Sequence, residues 1–194
     1  ARAHRRPPFA SRRVLPGRAG VVQSRGMADQ PLTLIDPARG PGDPPWQGVD
    51  DPVMGGRSRG RVVFESGVMR FLGELSLVGG GGFSSVRTVG RTWNLTGRSA
   101  LLLTVRGDGR EYQVRLHDGA LWQGRRVGHG FRFVAHAGPW QQVEVELDAL
   151  VPVCRGEEVP APRLDRSRVL DLGLLIADRR AGPFSLEVAG IQAR

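Results

Sequence analysis

Residues 101–116 read L-L-L-T-V-R-G-D-G-R-E-Y-Q-V-R-L. Leu101, Leu103 and Val105 fall on one side of a period-two repeat, and Tyr112, Val114 and Leu116 on one side of another. Period two belongs to extended strands, whose successive side chains point to opposite faces. Asp108-Gly109 between the runs is a turn signal and reads as a hairpin. The same alternation recurs along the chain. Met69, Phe71, Leu75 and Leu77 alternate with Arg70, Glu74 and Ser76, with Gly73 on the apolar side. Val143, Val145 and Leu147 alternate with Gln142, Glu144 and Glu146. Phe131 and Phe133, then 170–176 and 184–188, continue the pattern. Turn signals at 65–67, 79–82 and 118–119 separate the runs. No segment sustains a 3.6 repeat; residues 162–169 hold at most one helical turn, with Asp165 near its start. The reading is about nine strands in an all-β, jelly-roll β-sandwich.

Outward from these strands, composition sets bounds. A chain of 194 residues fits one domain plus a tail, read as 27–194 and 1–26. The tail is Arg- and Pro-rich without apolar periodicity, and is expected to be disordered. It holds seven arginines and no acid, so the formal charge of +9 resides mostly there. The remaining 21 arginines face 19 acids, a balance of +2 that argues against a nucleic-acid binder. Upstream read-through before Met27, a transit peptide and a basic arm compete as explanations of the tail, the first being favoured. The compartment expected is cytoplasmic, or the mitochondrial matrix if 1–26 is a transit peptide. Cys154, the single cysteine, excludes an internal disulfide and a thiolate metal cluster. No apolar run reaches the ~18 residues of a membrane span. A short strand is expected within 31–36, and a Pro/Gly loop without helix over 37–45.

Residues 49–60, V-D-D-P-V-M-G-G-R-S-R-G, form the least ordinary loop. Pro52 keeps Asp51 out of the helical region, and Gly55 and Gly56 permit positive φ. Ser58 and Gly60 continue the turn chemistry before a strand beginning at Arg61. Gly56, Ser58 and Gly60 spell G-x-S-x-G, but a nucleophile elbow needs a strand before the serine and a helix after it. Ser58 is therefore read as a turn residue, not a nucleophile. Asp50 and Asp51 offer oxygens to a hard cation such as calcium, yet six or more oxygens are needed, and two adjacent acids read first as turn formers.

Other motifs have ordinary explanations. Residues 79–82 read as a wide hairpin or bulge before Phe83, since no phosphate-loop lysine or helix follows. Arg106-Gly107-Asp108 is a turn, and the Asn94 sequon matters only in a secreted chain. The four histidines lack metal-helix spacing and read as solvent-side or loop residues. Trp46 and Trp140 read as lids on the core, whereas Trp122, in a polar stretch, is the one placed to stack on a ligand. Arg87 and Arg115 lie on strands; converging on one face, they would grip a carboxylate or phosphate.

Taken together, 49–60, F-L-G-E-L-S-L-V at 71–78, G-G-F-S-S-V-R at 81–87, V-R-G-D-G-R-E-Y at 105–112, V-P-V-C-R-G at 151–156 and the stretch 172–188 resemble the complex I intermediate-associated protein family. The resemblance covers nearly all of 46–191 in family order. It implies a galactose-binding-like jelly roll similar to carbohydrate-binding modules, with no catalytic activity and no cofactor. The eukaryotic relatives act as assembly factors for the membrane arm of respiratory complex I. The chain departs from the family at 147–151, where an aromatic Pro-Phe-rich segment is usual. Nor does it carry the G-x-G-x-x-G of relatives fused to a nucleotide-binding domain.

The expectation is a non-catalytic, assembly or chaperone-like module with a protein partner, or alternatively a carbohydrate- or small-ligand-binding module. Nucleic-acid binding and membrane insertion are not expected. The candidate binding or family-motif residues are Asp50, Asp51, Met54, Gly55, Gly56, Ser58, Gly82, Phe83, Arg87, Arg115, Trp122, Arg155 and Asp178.

Overall fold

The computed structural model describes residues 30–41, 44–50 and 57–194, with Asp50 described by its backbone alone. In chain order the strands are β1 (Leu32–Ile35), β2 (Trp46–Asp50), β3 (Arg59–Glu65), β4 (Val68–Leu75), β5 (Ser84–Thr88), β6 (Ala100–Arg106), β7 (Arg110–His117), β8 (Leu121–Trp122), β9 (Arg125–Arg126), β10 (Gly128–Ala135), β11 (Gln141–Glu146), β12 (Val151–Cys154), β13 (Glu157–Glu158), β14 (Asp171–Ile176) and β15 (Gly182–Ala193). One sheet runs β11-β6-β15-β4-β3, with β1 pairing the C-terminal end of β15. The second is seven-stranded, in the order β13-β12-β10-β7-β14-β5-β2. All pairings are antiparallel, and β8–β9 forms a small separate ribbon.

The alternation read from residues 101–116 fills the core. Leu101, Leu103 and Val105 of one sheet, and Tyr112, Val114 and Leu116 of the other, are all fully buried in one cluster. Met69, Phe71, Leu172, Leu174 and Ile176 join them. At roughly 1.5–3 kcal/mol per buried large apolar side chain, this face-to-face burial dominates what holds the sheets together.

The connection between β6 and β7 is not the expected hairpin. The two strands belong to different sheets, so Asp108-Gly109 turns the chain across the sandwich. Alternation cannot distinguish a hairpin from such an arch, because both leave the apolar residues facing one core. Asp108 closes the arch by accepting from the Arg110 and Ser185 amides and from the Tyr112 hydroxyl at 3.0–3.1 Å and 2.8 Å for Ser185. Residues 79–82 likewise join β4 in one sheet to β5 in the other, not the two arms of a hairpin. Residues 65–67 do close a hairpin, between β3 and β4.

Other readings need correction. Gly60 lies within β3 rather than in a turn, and pairs with Gly73 on β4. A Cβ on Gly73 would meet the Arg59 carbonyl oxygen at 2.0 Å, so only glycine lets the two strands close here. Beside this pair, Phe71 and Phe184 pack edge to face with centroids 4.9 Å apart. Trp46 packs against the core as expected, but Trp140 lies on the surface beneath Arg106, whose guanidinium carbon is 4.8 Å from its ring centroid. His129 is fully buried, its Nε2 donating to the Pro162 carbonyl, rather than facing solvent. In the 37–45 segment, a single 3-10 turn forms at Pro37–Arg39, with Asp36 capping the Ala38 amide and proline tolerated in the first turn. The short strands β2, β8, β9, β12 and β13 escape the sequence reading because two to five residues carry too little periodicity.

Candidate functional site

Inward residues of the seven-stranded sheet are consumed by the core, so its chemistry lies on the opposite, outer face. Strand register places those residues. On β7, Glu111, Gln113, Arg115 and His117 alternate with the buried Tyr112, Val114 and Leu116. Across the sheet, Arg115 pairs with Gly130 on β10 and Gly173 on β14. Gly173 in turn pairs with Arg87 on β5, which pairs with Gln47 on β2. One row therefore reads Gly130, Arg115, Gly173, Arg87, Gln47, and it brings together two arginines 28 residues apart in the chain.

Each arginine in this row lacks an acidic partner among the described residues. Arg115 donates through Nε and Nη2 to the Gln113 side-chain oxygen at 3.2 and 2.9 Å. Its stem lies over Gly130, where a Cβ would be 3.6 Å from Cγ. Burial, and secondarily the nearby Arg132 charge, lower its pKa from the usual arginine value. It nevertheless remains a cation at neutral pH. Arg87 is half-buried. Gly173 is buried between them and contributes no side chain.

The adjacent row carries Gln113, Leu175 and Ser85, the last donating its hydroxyl to the Val49 carbonyl at 2.7 Å. At the other side of the arginine row, His117 pairs with Asp171. His117 Nδ1 donates to Asp171 Oδ1 at 2.7 Å, and Arg126 of the β8–β9 ribbon bonds the other carboxylate oxygen. Burial holds the His117 pKa below its usual value despite Asp171, so the imidazole is neutral at pH 7. For Asp171, burial alone would raise the pKa, but the bonds and charges of His117 and Arg126 outweigh it and bring the carboxyl below its ordinary range. Arg126 thereby ties the ribbon, and with it Trp122, to the end of this face.

The structure does not bring the other sequence candidates to that row. Ser58 is fully buried, its Oγ accepting from the Ser76 amide at 3.0 Å and donating to the Ser76 carbonyl at 3.2 Å. Its hydroxyl thus bridges strand ends instead of standing ready for attack. Asp178 forms a bidentate pair with Arg110 at 2.7 and 2.9 Å, both side chains at most 6% exposed. Arg110 also donates to the carbonyls of Arg180, Gly182 and Pro183, pinning the β14–β15 connection. Arg155 is exposed in the β12–β13 turn. Gly82 and Phe83 immediately precede β5, at the end of the sheet where Asp50, Ser84, Ile176 and Tyr112 share a row. Asp51, Met54, Gly55 and Gly56 lie outside the described residues, as does the side chain of Asp50 and the 1–26 tail.

Residues that sequence reading missed are Gln113, His117, Arg126, Asp171 and Gly173. Gly173 carried a signal: a lone glycine within the apolar run L-G-L-L-I marks a place where something else approaches the backbone. No group of three or more metal-ligating side chains occurs among the described residues. No helix there is long and apolar enough to cross a membrane.

Solved structures similar to this chain include the family 11 carbohydrate-binding module of Clostridium thermocellum in complex with a β-1,3-1,4-mixed-linked tetrasaccharide. The TM-score is 0.57 at 11% identity, covering 76% of this chain and 87% of that one. A family 30 carbohydrate-binding module matches with TM-score 0.50 and 16% identity over 72% of this chain and 91% of that one. The agarase AgWH50C matches with TM-score 0.57 and 14% identity, over 84% of this chain but 26% of the enzyme. At such identities these likenesses establish the jelly-roll β-sandwich fold alone. No curated protein sequence matches the chain. The family model of complex I intermediate-associated protein 30 matches residues 39–188, most of the folded sequence. The chain belongs to the complex I intermediate-associated protein 30 family.

Proposed function

We propose that this chain is a non-catalytic binding module that engages a protein assembly intermediate through the outer face of its seven-stranded sheet. The observation carrying this reading is the row on that face, where Arg87 and Arg115 flank Gly173 without an acidic partner among the described residues. Guanidinium groups are suited to protein interfaces because their planar forks bind carboxylates and stack on neighbouring groups. Family membership supports an assembly role, and the intermediate favoured is one of the membrane arm of respiratory complex I.

Carbohydrate binding is the second reading, favoured by Trp122 beside the face on the ribbon tied down by Arg126. The strands of the face itself present arginine, amide, carboxylate, glycine and aliphatic side chains rather than the aromatic platforms on which sugars stack. Protein binding therefore accounts for more of the face. Affinity purification of the tagged chain from its own cells, with quantitative mass spectrometry, separates the two. Enrichment of membrane-arm subunits supports assembly; binding to β-glucan or agarose oligosaccharides without such enrichment, weakened in Trp122→Ala, would replace it with the sugar reading.

A further inference from the structure

We infer that the β8–β9 ribbon is a hinged flap, latched by the Arg126–Asp171 ion pair over the His117 end of the outer face, and that releasing the latch uncovers that end for a partner. This rests on the reading of the outer face as a binding surface, and names the device that controls access to one end of it.

What holds the ribbon supplies the first reason. It pairs with neither large sheet, and its two strands have two residues each, too short for a hairpin that is stable by itself in water. Gln123 and Gly124 have φ of 49° and 73°, the backbone of a tight two-residue turn, so the ribbon moves as one piece. Leu121 is 63% exposed and Arg125 is exposed, so little burial fixes its position. Among the described residues, the bond from Arg126 to Asp171 is the one hydrogen bond that joins residues 121–126 to either large sheet. The base is built more firmly. Asp118 accepts from the Ala120 amide at 2.9 Å and the Asp165 amide at 2.8 Å, and the Val127 amide donates to the Ala120 carbonyl at 2.9 Å. Gly119, at a φ of 95° between Asp118 and Ala120, stands where a hinge is needed.

What the ribbon covers supplies the second. Asp171 and His117 project from the outer face at one end of β14 and β7, yet Asp171 is only 6% exposed and His117 is half-buried. The Arg126 guanidinium lies on the Asp171 carboxylate, and its charge also acts on His117. On the β10 side the cover is absent by design of the sequence: a Cβ on Gly128 would stand 2.7 Å from His117 Nε2, so glycine leaves the imidazole room. His117 holds the ionised Asp171 in place from beneath at 2.7 Å, which gives the ribbon a fixed acceptor to close on. Leu121 pairs with Arg126, and Trp122 with Arg125, so Trp122 rides on the ribbon face opposite the latch and moves with it.

Nuclear magnetic resonance on the full chain tests this with no partner present. The readouts are nitrogen-15 order parameters at the Gln123 and Gly124 amides, relaxation of the His117 ring protons by a neutral gadolinium chelate, and hydrogen exchange of the core Val114 amide. In the wild type the ribbon tip should be ordered, near 0.85, and in Arg126→Gln and Asp171→Asn it should fall below about 0.6. The chelate should then relax His117 more strongly, while Val114 exchange stays unchanged. Arg125→Gln, on the opposite ribbon face and without a described side-chain hydrogen bond, should alter none of the three. A tip that stays ordered in both latch variants, or is already mobile in the wild type, overturns the latch. His117 still shielded beneath a mobile tip overturns the cover. Faster Val114 exchange in step with the tip shows that the ion pair holds the whole fold, and overturns the flap. A flap that opens in a chain enriching no membrane-arm subunit leaves the device standing and sinks the assembly reading. Enrichment with an unmoved ribbon does the reverse.

Discussion

At the residue scale, two side chains singled out as candidates in the sequence, Ser58 and Asp178, are structural. Ser58 uses its buried hydroxyl to satisfy both the amide and the carbonyl of Ser76. Ser58→Ala should therefore cost about 1–3 kcal/mol, the penalty of leaving buried polar groups unsatisfied, measurable by urea denaturation. A fluorophosphonate probe should leave the wild-type chain unlabelled; stoichiometric labelling that vanishes in Ser58→Ala would revive a hydrolase. Asp178 is the other, paired with Arg110. Their pair is buried and bidentate, so Arg110→Ala should destabilise by about 3–5 kcal/mol by stranding the Asp178 charge. The arginine pKa is raised chiefly by its bond to Asp178. Burial pushes the Asp178 carboxyl up, but Arg110 and the Arg180 amide draw it below the ordinary carboxylate range.

These depressed carboxylates fix a pH dependence. A carboxyl with a lower pKa folded than unfolded stabilises above its unfolded value, about 3.9, and loses that contribution as pH falls through the folded value. Asp171 and Asp178 should both act this way, giving a steep fall in melting temperature below about pH 4. His117 adds an earlier stage. Because burial lowers its folded pKa, the unfolded chain binds the proton first, and stability declines as pH falls below about 6.5. His117→Gln, which retains a donor for Asp171, should abolish the loss that begins below about pH 6.5 while sparing the steeper acid transition. A melting temperature flat from about pH 7 to 3 would contradict both assignments.

At the scale of elements, the alternation makes the strands legible and leaves their partners hidden. Period two places Leu103 and Val114 in the core whether β6 and β7 form a hairpin or an arch. Only tertiary register decides, and here Asp108 bonds across the sheets to Ser185. The same limit applies to the candidate site. Arg87 and Arg115 are legible as strand residues, but their sharing one row depends on β14 lying between β5 and β7. Nothing local to either arginine encodes that. Residues 51–56, within the most distinctive stretch of the sequence, lie outside the described residues. The Gly60–Gly73 pair gives the element scale its own prediction. Gly73→Ala drives a methyl group into the Arg59 carbonyl and towards the Phe184 ring, so it should cost about 3 kcal/mol through overpacking. Thermal denaturation checks it, and a melting temperature within about 2 °C of wild type would show that β3 and β4 are not this tightly closed.

At the scale of the whole molecule, both outer faces carry paired and unpaired arginines, and the row at Arg87 and Arg115 is distinguished by its place at the centre of the seven-stranded sheet. On the six-stranded sheet Glu187 sits between Arg70 and Arg106 at 2.7 and 2.5 Å, and Arg106 also covers Trp140. Arg70 and Arg106 are therefore occupied, whereas Arg59 and Arg61 on the edge strand β3 are exposed. On the seven-stranded sheet Arg87 and Arg115 have no acidic partner among the described residues, which is why that face is the one proposed as the binding surface. The most direct measurement is quantitative co-purification of membrane-arm subunits with variants of matched charge change, Arg87→Glu with Arg115→Gln on one face and Arg59→Glu with Arg61→Gln on the other. Melting curves confirm folding in each case. The first pair should lose at least about tenfold of the captured subunits, since desolvated interface arginines are frequent hot spots, while the second should retain them. Equal retention by both folded variants, or loss confined to the Arg59 and Arg61 pair, would contradict the assignment of the seven-stranded sheet as the binding face.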